Sequence, residues 1–261
     1  MTTTAVRRTA LVTGASSGLG VAFAHELARR GWNLVLVARS EAPMQLLARE
    51  LRAGGAEVRV CPVDLATADA RIALAAMLAS DGVAIDALVN NAGFGVFGAF
   101  ADADWARLEN MLMVDVVALT HLTRLFLPGM RERAFGRVLQ VASTAAFQPT
   151  PGYAAYAAAK SYVLEFSHAL DVELHGSGVH CTVVSPGVTA TRFLEVSGQR
   201  ATWYQRLTRM QAPAVARRGI DAMLAGRAGV IAGGVNALMA HSIRLIPRSL
   251  ASRVAGWLMR N

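Results

Sequence analysis

Three glycines within seven residues constrain the fold of this chain more than any other feature. Residues 8 to 13 (RTALVT) read as a short buried strand, GASSGLG follows, and VAFAHELARRG then carries helical apolar spacing closed by Gly31. Strand, glycine loop and helix in direct succession make a turn suited to residues without a Cβ. Gly14, Gly18 and Gly20 let the backbone come close to a pyrophosphate, with Ser16, Ser17 and Leu19 as loop neighbours, and the helix N-terminus meets the negative charge. A glycine loop alone also suits an ordinary turn. The strand before it and the helix after it point to a dinucleotide site.

The rest of the chain repeats the alternation. The strand NLVLVAR ends in Arg39, where a site selective for NAD places an acidic residue on the ribose hydroxyls. A cation there suits a 2′-phosphate, so NADP(H) is expected over NAD(H), although a surface arginine would look the same in so arginine-rich a chain. A helix over about 41 to 53, the strand EVRVCPVDL, a helix over about 67 to 80 and the strand in DALVNNAGFG come next. Asp64, beside Leu65 and just past its strand, is placed to bind an adenine amino group. Asn90, Asn91, Ala92 and Gly93 fall where another strand end opens on the crevice. A long apolar helix over 103 to 130, ending near Pro128 and Gly129, carries Asp115 among Met113, Val114, Val116 and Val117. A strand over 137 to 142, a helix to about 175, the strand VHCTVVS closed by Pro186 and Gly187, a helix over about 213 to 225 and the strand AGVIAG follow. The expected fold is α/β: a Rossmann-like doubly wound parallel sheet, three layers α/β/α, in one domain over 1–261.

Chemistry concentrates in residues 143 to 160 (STAAFQPTPGYAAYAAAK). Tyr156 and Lys160 stand four apart in an alanine-rich helical run, so they share a face one turn apart. An ammonium beside a phenol favours phenolate and lowers the tyrosine pKa toward working pH. Ser143, at the end of the strand-like RVLQVAS, can hold a substrate oxygen near that phenol. A tyrosine and a lysine can meet at helical spacing by chance. Yet Lys160 is the only lysine, and the other 25 basic residues are arginine, which suggests chemistry that needs a compact ammonium.

Two cysteines, Cys61 and Cys181, lie in apolar runs, so neither a disulfide framework nor a cysteine metal site is expected. A cytoplasmic location fits that, together with an N-terminus that lacks a signal core. The net charge of +8 is uneven: residues 1 to 185 carry 15 basic and 16 acidic groups, whereas residues 186 to 261 carry 11 arginines against Glu195 and Asp221. That excess argues for a local anionic partner, either an acidic membrane surface met peripherally or an anionic carrier. Nucleic acid is not expected, because no reading motif accompanies the charge. Residues 192–215, with Phe193, Trp203 and Tyr204 but little periodicity, read as a substrate lid or a surface helical hairpin. Residues 234–261 read as a basic amphipathic extension. Leu250, Val254, Trp257 and Leu258 lie along one face, with Arg248, Arg253 and Arg260 mostly off it, for packing on the body, on a second subunit or on a membrane.

Taken together, TGASSGLG, NNAG, Ser143 with YAAAK, and PGVTAT resemble the motifs of the short-chain dehydrogenase/reductase family, in the family's order over residues 8 to 191. The resemblance implies hydride exchange between nicotinamide C4 and a carbonyl or alcohol carbon. It implies that Tyr156 gives or takes the proton, Lys160 holds the nicotinamide ribose and depresses the tyrosine pKa, and Ser143 orients the substrate oxygen. Pro186 and Gly187 would line the cofactor, Thr189 and Thr191 would contact the carboxamide, and two long helices would form a homodimer or homotetramer. One position departs: Asp115 stands where the family has a catalytic asparagine, with Asn110 a possible substitute five residues earlier. In the family this position helps to hold a water linked to the lysine, largely through its main-chain carbonyl. Asp115 is either ionised beside Lys160 or kept neutral by burial; the ionised state is favoured because a lysine partner offsets part of the desolvation cost. The expected function is an NADP-dependent carbonyl reductase or alcohol dehydrogenase acting on an apolar or acyl substrate. The alternative, kept open by Asp115, is a catalytically weak dinucleotide sensor or scaffold of the same fold.

Overall fold

Seven short apolar runs become one sheet: β1 Thr9–Thr13, β2 Asn33–Ala38, β3 Val58–Pro62, β4 Ala87–Asn90, β5 Gly136–Val141, β6 Val179–Ser185 and β7 Gly229–Ile231. The computed structural model describes residues 7–258. All neighbouring strands are parallel, in the order β3-β2-β1-β4-β5-β6-β7. The register pairs Leu11 with Val35 on one side and Leu88 on the other. The helices are α1 Gly18–Arg29, α2 Glu41–Ala53, α3 Ala68–Ser80, α4 Trp105–Leu112, α5 Leu119–Glu132, α6 Ala154–Glu173, α7 Phe193–Ser197, α8 Trp203–Leu207, α9 Ala212–Leu224, α10 Gly234–Ser242 and α11 Arg248–Leu258.

Both sheet faces are covered, which is why the strands read as continuous apolar runs rather than as alternation. Ala10 and Val12 point into a core with Phe23 and Leu27 of α1, Met44 of α2 and Ile220 of α9. Leu11, between them, points the other way, to Leu74 and Leu78 of α3, Leu122 of α5 and Leu170 of α6. The order of the strands reverses between β1 and β4, and a crevice opens beyond their C-terminal ends.

Two expectations need correction. The long helix does not stop near Pro128 but runs through it to Glu132. Pro128 lies on the exposed side, and fully buried Met130 holds the last turn on the sheet. Trp105–Glu132 is long and apolar enough to cross a membrane, but Leu119, Leu122 and Met130 are buried in this fold. Asn90, in turn, faces away from the crevice. Its Nδ2 donates to Gln140 Oε1 and Thr123 Oγ1, each at 3.0 Å, and so ties β4 to β5 and α5 inside the core.

Candidate active site

The glycine loop is built by close backbone approach. Gly14 and Gly18 have φ of +67° and +58°, left-handed values that side chains rarely adopt. Gly20 is normal in φ, but a Cβ there would sit 2.1 Å from the Gly14 carbonyl oxygen. Gly20 therefore sets how closely α1 meets the loop and does not line the crevice, a correction to its expected cofactor contact. Thr13, which sequence reading passed over, locks the loop to β4: its Oγ1 donates to the Val89 carbonyl and accepts from the Asn91 and Ala92 N–H groups at 2.9 Å. Asn91 Nδ2 donates to the Thr13 carbonyl at 2.8 Å, so this side chain braces the loop as well as lining the crevice.

The crevice holds a cavity of about 670 Å³. Of the crevice and site residues named from sequence, all line it except Gly20, Asn90 and Asp115. Its dinucleotide end fits the expected cofactor. Ser17 stands at the N-cap of α1 without capping it and no acidic residue occupies the first turn, so the first amides are left for an anion. Arg39 is exposed at the end of β2 beside Ser40, and Asp64 follows β3 with Oδ1 accepting from the Ala66 N–H at 3.0 Å.

At the other end Ser143 stands in extended backbone just past β5, while Tyr156 and Lys160 descend from α6. Lys160 is buried. Its Nζ donates to the Val141 carbonyl at 3.1 Å and lies 3.0 Å from Asp115 Oδ2. Asp115 is fully buried behind it, and its Oδ1 accepts from the Phe94 N–H at 3.0 Å. It cannot touch a substrate, so its expected catalytic role becomes a positioning one. A wider π turn, Met113–Ala118, carries Asp115 between α4 and α5. Glycine at 93 makes room, since a Cβ there would lie 2.8 Å from Asp115 Oδ1. Burial pushes the Asp115 carboxyl up, opposed by Lys160 and by the Phe94 N–H.

The expected lowering of Tyr156 is not what this arrangement gives. Burial pushes its phenol well above the usual tyrosine range, the Asp115 carboxylate adds to the rise, and a hydrogen bond from Ser143 pulls against both. The Lys160 charge is held by Asp115 at 3.0 Å, with Nζ 5.7 Å from the centre of the Tyr156 ring.

Tyr153 was not named from sequence, whereas Phe193 was named only within the lid and Asn110 only as a possible substitute for Asp115. Tyr153 lines the cavity, and its hydroxyl lies 2.6 Å from Ser197 Oγ, tying α6 to α7. Phe193, at the start of α7, packs on Tyr156 with ring centres 5.3 Å apart. Asn110 faces the cavity with its Oδ1 buried and, among the described residues, without a hydrogen-bond partner, which restores it as a polar contact. The segment expected as lid or hairpin holds two short helices, α7 and α8.

The sequence profile described as short chain dehydrogenase matches residues 8–201. A ketoacyl reductase of Nostoc sp. is 33% identical over 214 residues, 82% of this chain and 71% of that protein. A very-long-chain 3-oxoacyl-CoA reductase of Anas platyrhynchos is 34% identical over 195 residues, 72% of this chain and 62% of that protein. A short-chain dehydrogenase from Sphingobium yanoikuyae, solved in complex with NADPH, superposes with a TM-score of 0.81 at 29% identity, over 91% of this chain and 94% of that one. The chain belongs to the short-chain dehydrogenase/reductase family, oxidoreductases that use NAD(P) on carbonyl or alcohol substrates.

Proposed function

We propose that the protein is an NADPH-dependent reductase of apolar or acyl-type ketones. The carrying observation is that Ser143, Tyr156 and Lys160 line the same cavity as the glycine loop and Arg39. When bound, the nicotinamide dinucleotide supplies the hydride. Ser143 hydrogen-bonds the carbonyl oxygen, and Tyr156, kept protonated by its burial, donates the proton that oxygen needs as it becomes a hydroxyl. Lys160 presents its ammonium where the ribose hydroxyls and the developing phenolate can use it, and Asp115 fixes the direction of that side chain. Arg39 offers a cation to a 2′-phosphate. Phe94, Phe147, Phe193 and Met239 give the substrate end an apolar wall, which suits an alkyl or acyl chain and excludes water from the reacting carbon. Residues 192–215 act as the lid over it. The ketoacyl and 3-oxoacyl-CoA reductases among the relatives support the acyl reading, and the NADPH complex of the Sphingobium protein supports the cofactor.

The test is NADPH oxidation over a panel of aldehydes, ketones and 3-oxoacyl thioesters, with cofactor binding measured in parallel. Turnover is expected to favour apolar ketones and acyl thioesters. Tight NADPH binding with no turnover anywhere in the panel would replace this reading with a sensor.

A further inference from the structure

The C-terminal helix leaves in solvent the apolar residues that sequence assigns to the body, to a second subunit or to a membrane. α11 lies on the body through its alanines, with Ala251 and Ala255 only 2% and 1% exposed, and a Cβ on Gly256 would stand 3.3 Å from the Pro151 ring. Leu250, Val254 and Trp257, spaced four and three apart, form a stripe on the adjoining side and stay in solvent, Trp257 at 64%. Leu245, in the turn before α11, is 86% exposed. The Trp257 ring meets Trp203 of α8 edge-on at 6.4 Å, and Trp203 is itself exposed, so the apolar surface continues onto the lid. The side chains of Arg248 and Leu258, and residues 259–261, lie outside the described residues. A helix meant for its own core would bury leucine and tryptophan and leave alanine outside.

Charge says what covers this face. From residue 222 to the end the sequence contains five arginines and no acidic residue. Arg253, exposed, flanks the stripe one residue from Val254. We propose that this face docks on the surface of a bilayer containing anionic phospholipid, with the apolar stripe at the headgroup boundary and Arg253 beside it on lipid phosphates. A second copy of the chain fits poorly, because an isologous contact sets one arginine-rich segment against another with no carboxylate of its own to pair. Tryptophan beside arginine is also what an interfacial depth favours. Met239 and Ala240 of α10, the neighbouring helix in the chain, line the cavity, so docking brings its rim toward the lipid. The docking itself does not depend on the reaction proposed above.

The experiment is sedimentation of the full chain with vesicles of phosphatidylcholine alone and of phosphatidylcholine mixed with phosphatidylglycerol. Binding is expected to the mixed vesicles at low salt and to weaken as salt rises through physiological strength. Arg253→Gln should lower the partition coefficient about fivefold, and Leu250→Ser or Trp257→Ser should lower it further, with cooperative unfolding unchanged in each. No binding at low salt, or equal binding to both vesicle types, overturns the proposal. So does a Leu250→Ser protein whose oligomeric mass falls while its vesicle binding is unchanged, which would assign the face to another protein copy.

Discussion

The glycine loop and the C-terminal helix are both seated by small residues, to opposite effect. In the loop, missing Cβ atoms let backbone meet backbone: Gly20 sits where any side chain would strike the Gly14 carbonyl. In α11, Ala251 and Ala255 bring the helix close to the body and leave Leu250, Val254 and Trp257 facing out. The first region writes its function in backbone geometry, which tolerates almost no change. The second writes it in surface left over after packing, which the fold itself hardly notices.

Mutations should separate the two sharply. The largest effect belongs to the chemistry the first region serves: Tyr156→Phe should reduce turnover about 10²- to 10⁴-fold with NADPH binding retained, and a variant that keeps its rate would move the proton donor elsewhere. Next comes Arg39→Asp, which turns attraction for a 2′-phosphate into repulsion. NADPH affinity measured by titration should fall about ten- to hundredfold while NADH affinity holds, and an unchanged ratio removes Arg39 from the site. Gly20→Ala adds one methyl against the Gly14 carbonyl and should cost about 1–3 kcal/mol, seen calorimetrically as a Tm lower by about 5 °C. An unaltered transition would mean that α1 can slide away freely.

Asp115→Asn probes the pair beneath the site, and its sign can be worked out. Alcohol oxidation needs Tyr156 ionised, so the rate rises with pH through that titration. Burial and the Asp115 carboxylate both push it upward. Removing the carboxylate leaves the ammonium unopposed and should move the rise to lower pH by about one unit. A profile that does not move would show a neutral Asp115 in the wild type. The smallest effect is expected in the second region: Leu250→Ser should change unfolding stability by less than about 0.5 kcal/mol, and a large loss would mean the stripe is buried after all.

What sequence could and could not foretell follows the same division. Strand alternation, the loop and the Tyr156–Lys160 spacing are local patterns, and each survives into three dimensions. The proximity of Asp115 to Lys160 could be suspected from a costly buried carboxylate, but the π turn that delivers it leaves no mark in the residue order. Asn91 was legible as a crevice residue but not as a brace, since its partners at Thr13 and Gly14 lie far away along the chain. Thr13 and Tyr153 went unnamed for the same reason: one looks like any strand end, the other like any aromatic before a helix. Pro128 misled because proline ends a helix only where the lost bond matters. In the tail, which part of an apolar arc is covered depends on the body it lies against: Ala251 and Ala255 are buried while Leu250, Val254 and Trp257 stay outside.

The solitary lysine has a practical consequence. Reagents that acylate amines find one side-chain target in the entire chain, and that amine is buried and held between a carboxylate and a carbonyl. Apart from the α-amino terminus, any label that enters therefore reports on opening of the reaction chamber alone. Mass spectrometry of a brief acylation pulse would time that opening without a background to subtract, and protection by dinucleotide would be read from a single peptide.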